Sequence, residues 1–133
     1  MTAGYSGTPL AKKLGLKAGM RVYFDGMPES VAKILPVADL QVLGRIGKEL
    51  DHAHLFTYSA TRLDKRFPML RDAIHKEGTV WVSWPKKSSG VTTDLTGDIV
   101  RTTGLSQGLV DVKVCAIDDT WSGLKFVWRK KDR

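Results

Sequence analysis

The stretch Trp81-Val82-Ser83-Trp84-Pro85-Lys86-Lys87-Ser88-Ser89-Gly90 sets two ammonium groups, two hydroxyls and flexible backbone beside an indole. Such groups hold a phosphate or carboxylate through charge and hydrogen bonds when they lie ahead of a helix N-terminus. Thr93-Asp94-Leu95 reads as that helix start. The loop is not a P-loop, because Gly90 is its one glycine and none stands four or five residues before a Lys-Ser pair. A solvated basic loop accounts for the same residues without any ligand.

Other candidate chemistry is weaker. His52 and His54 stand two apart in a strand and share a face, yet no third metal ligand is near them in sequence, and His75 falls on a distant helix. Partly buried strand histidines are the expected outcome, with no metal. Asp118 and Asp119 beside Trp121 resemble a carboxylate pair next to a stacking indole, but adjacent aspartates more often bond their own backbone in a turn. Cys115 is the sole cysteine, which excludes an internal disulfide and a cysteine-based zinc cage. It sits in an alternating strand with no basic neighbour expected to lower its pKa, so a small core residue is expected there. Trp81 and Trp128 read as core, whereas Trp84 and Trp121 are the indoles expected to be partly exposed. No catalytic residue emerges.

The elements that must position these residues follow from composition and periodicity. A chain of 133 residues with 42% apolar and 26% charged residues suits one globular domain spanning 1–133. Residues 1–7 read as a flexible polar lead without the basic start or apolar stretch of a secretory signal. No apolar run is long enough to span a bilayer, so no membrane is expected and the cytoplasm is. The net charge of +7 suits polyanions or plain solubility, and the basic residues fall in small clusters at Lys12-Lys13, Lys86-Lys87 and Arg129-Lys130-Lys131.

Thr8 as N-cap with Pro9 after it starts a short helix that Gly15 ends. Arg21-Val22-Tyr23-Phe24 is a first strand, and Pro28 starts a helix through Val31, Ile34 and Leu35 that Pro36 stops. Strands follow at Asp39 to Leu43 and His52 to Tyr58. Ser59 or Thr61 caps the longest helix, with Leu63, Phe67, Leu70 and Ile74 on one stripe, Gly78 at its end and a kink or a restart expected at Pro68. Thr79 to Trp84 is the fourth strand, and a helix follows from about Asp94 to Thr103. Leu109 to Ile117 alternates, with Val110, Val112 and Val114 on one face and Asp111 and Lys113 on the other. After a turn at Asp118-Asp119-Thr120, Leu124, Phe126 and Trp128 complete a β-hairpin.

Strands alternating with helices imply a three-layer α/β/α Rossmann-like sandwich with a mostly parallel sheet. With its terminal hairpin, this arrangement resembles a shortened Rossmann-like methyltransferase fold. That resemblance implies six strands in the order 2-1-3-4-6-5, the last antiparallel. The chain also resembles a small family of bacterial proteins of unknown function. The resemblance rests on Gly4 to Leu14, on Trp81 to Asp94, and on Gly108 to Asp118 with Thr120-Trp121-Ser122-Gly123-Leu124-Lys125. It brings no activity, substrate or catalytic residue.

A methyltransferase ligand needs a glycine-rich turn after the first strand. Here Asp25-Gly26-Met27-Pro28-Glu29-Ser30 has one glycine, a proline without an amide donor and a glutamate where an anion would sit. Leu43-Gly44-Arg45 lacks the acidic residue that usually grips a ribose. The leading expectation is therefore a non-catalytic binding or interaction module with no resident cofactor. A small anionic ligand would lie in a crevice at the C-terminal ends of the strands, near Asp25, Gly26, Tyr58, Ser59, Trp84, Lys86, Lys87, Ser88 and Ser89. The alternatives are a small methyltransferase-like transferase with an adenosyl or phosphate ligand, and a less favoured nucleic-acid binder using the basic clusters.

Overall fold

Runs of β-branched and aromatic residues bounded by turn formers give each strand two faces, and most strands here bury both. The structure is a computed structural model that describes residues 9–133. The polar lead and the Thr8 cap lie outside the described residues. The strands are β1 (Arg21–Asp25), β2 (Gln41–Val42), β3 (Leu50–Phe56), β4 (Ile74–Pro85), β5 (Leu109–Ala116) and β6 (Trp121–Trp128). They form one six-stranded sheet in the order β2-β1-β3-β4-β6-β5. Strands β1 to β4 pair in parallel, and β6 runs antiparallel to both β4 and β5. The expected architecture and strand order are those found.

Helices α3 (Ala60–Ala73) and α4 (Gly97–Ser106) cover one face, packing Leu63, Phe67, Leu70 and Val100 on Leu55, Val80, Val82 and Phe126. The other face is covered by two short helices, α1 (Leu10–Lys13) and α2 (Glu29–Ala32), through Leu10, Leu14, Val31 and Leu35. Gly104 lets α4 lie against β6, since a Cβ there would stand 2.0 Å from a Phe126 ring carbon. A side chain at that position cannot be accommodated without moving the helix.

Several local expectations are corrected. Helix α3 passes through Pro68 without a break, because its buried stripe outweighs one lost backbone bond. It ends at Ala73, and β4 begins at Ile74 with no loop between them, so Ile74, His75 and Gly78 belong to the strand rather than the helix. Gly78 is needed where the β3–β4 register shifts, since a Cβ would come 2.6 Å from the Leu50 carbonyl oxygen. Ser59 caps α3 by accepting from the Arg62 amide, so Thr61 stands inside the helix. Helix α4 starts at Gly97 after a Thr96 cap, three residues beyond Asp94. Strand β2 has shrunk to two residues.

The clean alternation expected in β5 is broken by a bulge. Residues 109–111 and 113–116 pair with β6 in two registers, leaving Val112 as the extra residue. Val112 and Val114 are exposed, the latter at 68%. Strand β5 is one of the sheet's two edges, and a bulge there obstructs pairing with another chain.

Candidate functional site

The strand order reverses between β1 and β3, so the crevice beyond their C-terminal ends is where a ligand is expected in such a sheet. Asp25 closes β1, and it is buried. Its carboxylate is held by two guanidinium groups of α3: Arg62 Nη2 donates to one oxygen, and Arg66 Nε donates to the other at 2.6 Å. Arg66 also reaches the Tyr23 hydroxyl at 3.4 Å. Two cations against one anion leave a surplus positive charge, carried by Arg62, whose side chain is 48% exposed.

Gly26 follows with φ +74°, and a Cβ there would lie 2.8 Å from the Phe56 carbonyl oxygen. The glycine thus serves the close approach of β1 and β3. Ser59 spends its hydroxyl on the α3 cap. Tyr58 is 53% exposed, with its ring 5.3 Å from that of Trp121.

The β4 exit loop is tied to the β3 exit loop. Thr93 Oγ1 donates to the Tyr58 carbonyl at 2.6 Å, and the Ala60 amide donates to Asp94 at 2.8 Å. The Lys86 amide donates to the Thr120 carbonyl at 2.7 Å, and Ser30 Oγ donates to Asp118 at 3.3 Å. Three turns and α2 are therefore laced together along one end of the sheet. Asp118 accepts from the Thr120 and Trp121 amides, the turn-forming role its sequence suggests.

Within this lacing, Lys87 to Ser89 form a single 3₁₀ turn that Gly90 ends at φ +76°. Ser89 Oγ donates to the Lys86 carbonyl and accepts from the Val91 amide, so that hydroxyl serves the turn. Lys87 and Ser88 are exposed. A cavity of about 360 Å³ opens beside the turn, lined by Trp84, Lys87, Val91, Thr93, Leu95 and Gly97. It combines an indole edge, an ammonium group, hydroxyls and the start of a ten-residue helix, and its size suits a small ligand. Of the expected site residues, Trp84 and Lys87 line this cavity, and Asp25, Gly26, Tyr58 and Ser59 stand at the β1–β3 crevice. Arg62, Arg66 and Gly97 were not singled out from sequence, and Thr93 was read there only as a helix start. The i, i+4 spacing of the two arginines was the available signal.

The indoles expected to be partly exposed are not. Trp84 is 8% and Trp121 is 3% exposed, because the laced turns fold over them. His52 and His54 are fully rather than partly buried. Burial, with a smaller push from the Lys125 charge, lowers His52 to about 3. Burial and then the neighbouring His52 take His54 well below its usual range. Cys115 does have basic neighbours, Lys113 and Lys13, which lower its pKa, but burial outweighs them and raises it. His75 stands in β4 and bonds Asp51 at 2.7 Å. Among the described residues, no cluster of three or more His, Cys, Asp or Glu side chains is placed to hold a metal, and no helix is long and apolar enough to cross a membrane.

This sheet order and its terminal hairpin define the Rossmann-like fold of S-adenosylmethionine-dependent methyltransferases. A Sulfolobus solfataricus protein assigned to the type 11 methyltransferases matches with a TM-score of 0.64 at 10% identity, over 91% of this chain and 90% of its own. Magnesium protoporphyrin IX methyltransferase from Synechocystis, with S-adenosylhomocysteine bound, matches at 0.61 and 10% identity, over 84% of this chain and 75% of its own. Aeropyrum pernix fibrillarin, with S-adenosylmethionine bound, matches at 0.57 and 15% identity, over 93% and 70%. No family model and no curated sequence matches the chain, so the resemblance to a bacterial family gains no support there.

The residues do not fit the ammonium group of S-adenosylmethionine's amino-acid end. Asp25, the carboxylate that would meet it, is already engaged by two arginines, while the surplus guanidinium suits only the carboxylate of that end. The glycine that would admit the ligand is pressed on the Phe56 carbonyl instead.

Proposed function

We propose that the chain is a small methyltransferase-like transferase that holds a phosphate-bearing, nucleotide-like ligand at the C-terminal edge of its strands. The observation that carries this reading is the fold, which runs over about nine-tenths of the chain in solved methyltransferases. The preference drawn from sequence, for a non-catalytic module, thereby gives way to the transferase alternative. The choice of ligand rests on charge. The surplus guanidinium at Asp25 and the Lys87 ammonium beside Trp84 favour an aromatic base bearing an anionic group over a sulfonium amino acid.

One observation favours an interaction module instead, namely the hydrogen bonds that lace the turns over the crevice. Nucleic-acid binding has less support. Lys86 and Lys87 follow the end of β4, whereas Arg129 to Arg133 follow β6, which ends where β4 begins, so the clusters occupy opposite ends of the sheet.

Calorimetry and amide shifts with adenosine diphosphate, inorganic phosphate, S-adenosylmethionine and S-adenosylhomocysteine test the proposal. The nucleotide is expected to bind saturably, shifting Lys87 to Gly97, and Lys87→Ala is expected to weaken it about three- to ten-fold. S-adenosylmethionine binding alone, with shifts at Asp25 to Met27, would overturn the ligand assignment. Binding by none of the four returns the module reading.

A further inference from the structure

A second cavity, of about 290 Å³, lies at the opposite end of the strands, with Leu14, Lys17, Asp51, His52, Thr79 and Lys125 in its wall. We infer that it is a binding site for a small oxyanion, a phosphate or carboxylate group held between the Lys125 ammonium and the His52 ring. This inference is independent of the ligand proposed for the other end of the sheet.

The first observation is a pair of opposed lysines. Lys113 stands directly opposite Lys125 across the β5–β6 pair, where like charges repel. Lys113 donates to the Lys13 carbonyl at 2.9 Å. Lys125 is half-buried and has no hydrogen-bond or ion-pair partner among the described residues. Burial and then the Lys113 charge lower its pKa, as expected for an ammonium that lacks a counterion.

The carboxylates in the wall, Asp51 and Glu77, equal Lys17 and Lys125 in number, but neither bonds Lys125. Both oxygens of Asp51 are engaged, one by the Arg21 amide at 2.8 Å and one by His75 at 2.7 Å. Burial would raise Asp51, but the His75 and Arg21 bonds outweigh it and hold the carboxylate low and charged. Glu77 stands exposed at the rim and bonds neither lysine of the wall.

The second observation is a buried polar chain that ends in this cavity. Ser83 Oγ lies 2.7 Å from His54 Nε2, and His54 Nδ1 lies 3.4 Å from His52 Nε2. His52 is 1% exposed, lines the cavity, and has no partner for Nδ1 among the described residues. A neutral chain of this kind can run in either direction. An oxyanion selects the one in which Ser83 donates to His54, His54 to His52, and His52 Nδ1–H to the ligand. The ligand thus pairs with the open end of this chain and with the opposed lysines together.

The test uses the intact protein, labelled with ¹⁵N, titrated with sodium phosphate and with sodium acetate against a sodium chloride control of equal ionic strength. Saturable shifts of the His52 ring and the Lys125 amide are expected, with both imidazoles settling on the tautomer named above. Tighter binding of phosphate identifies the phosphate group, and tighter binding of acetate the carboxylate. Lys125→Met, checked for a retained melting transition, is expected to weaken binding roughly ten-fold or more, whereas Lys12→Met leaves it unchanged. Shifts that chloride reproduces, shifts confined to Lys87 to Gly97, or no saturable shift in the wild-type protein would each overturn the inference. Should Lys125→Met fail to fold, the wild-type titration still decides.

Discussion

Arg66 Nε donates to the Asp25 carboxylate at 2.6 Å, joining the end of the first strand to the second turn of the longest helix. In this sheet topology Asp25 stands where a ligand is expected, and the protein occupies that place with its own arginines. The pair therefore closes part of the crevice while leaving the edge positively charged through Arg62. Asp25→Asn would leave two guanidinium groups facing each other without a counterion. A loss of roughly 2–4 kcal/mol in urea unfolding is expected, below the upper end for a buried pair because Arg62 is half-exposed. An unchanged midpoint would show that the pair contributes nothing.

Stability should fall with acid through the histidines. Both are held neutral in the folded protein, and His52 charges only near 3 rather than at its ordinary 6.5. Between those values the unfolded chain binds the proton and the folded chain does not, so the contribution is intact above about pH 6.5 and is lost as pH falls towards 3. The slope expected for one such group is roughly 1–2 kcal/mol per pH unit. Thermal melts from pH 7 to pH 4 check it, and His52→Gln should flatten the profile if the variant folds.

Gly104→Ala tests the fit of α4 on the sheet. A methyl group would overlap the Phe126 ring at 2.0 Å, and that ring is itself locked edge-on against Phe67. Despite alanine's better helix propensity, a loss of about 1–3 kcal/mol is expected. A rise in melting temperature would mean that α4 moves freely over β6.

Thr93→Val removes the hydroxyl that ties the β4 exit loop to the Tyr58 carbonyl. The loop should loosen by about 1 kcal/mol, seen as faster amide exchange from Val91 to Leu95 with little change in global stability.

The local elements were legible because their signals are short in range. Alternation marks β6, the capping hydroxyl of Ser59 marks the start of α3, and Asp118 bonds amides two and three residues on. The errors fall where packing overrides such signals. Pro68 reads as a kink or a restart, but the buried face of α3 carries the helix past it without a restart. Gly78 reads as a stop, yet it lies inside a strand at a register shift. Val112 reads as one of three aligned valines, and pairing with β6 turns it into a bulge.

The sequence by itself determined the order of helices and strands, the terminal hairpin and, through its likeness to a known topology, the order of strands in the sheet. Periodicity and turn chemistry act over a few residues, so they survive in one dimension. Only the tertiary structure decided what each polar side chain does. Asp25 meets Arg62 and Arg66 across 37 and 41 residues, His54 meets Ser83 across 29, and Lys113 meets the Lys13 carbonyl across 100. Those meetings depend on the register of neighbouring strands and on which helix covers which face, and no local pattern encodes either.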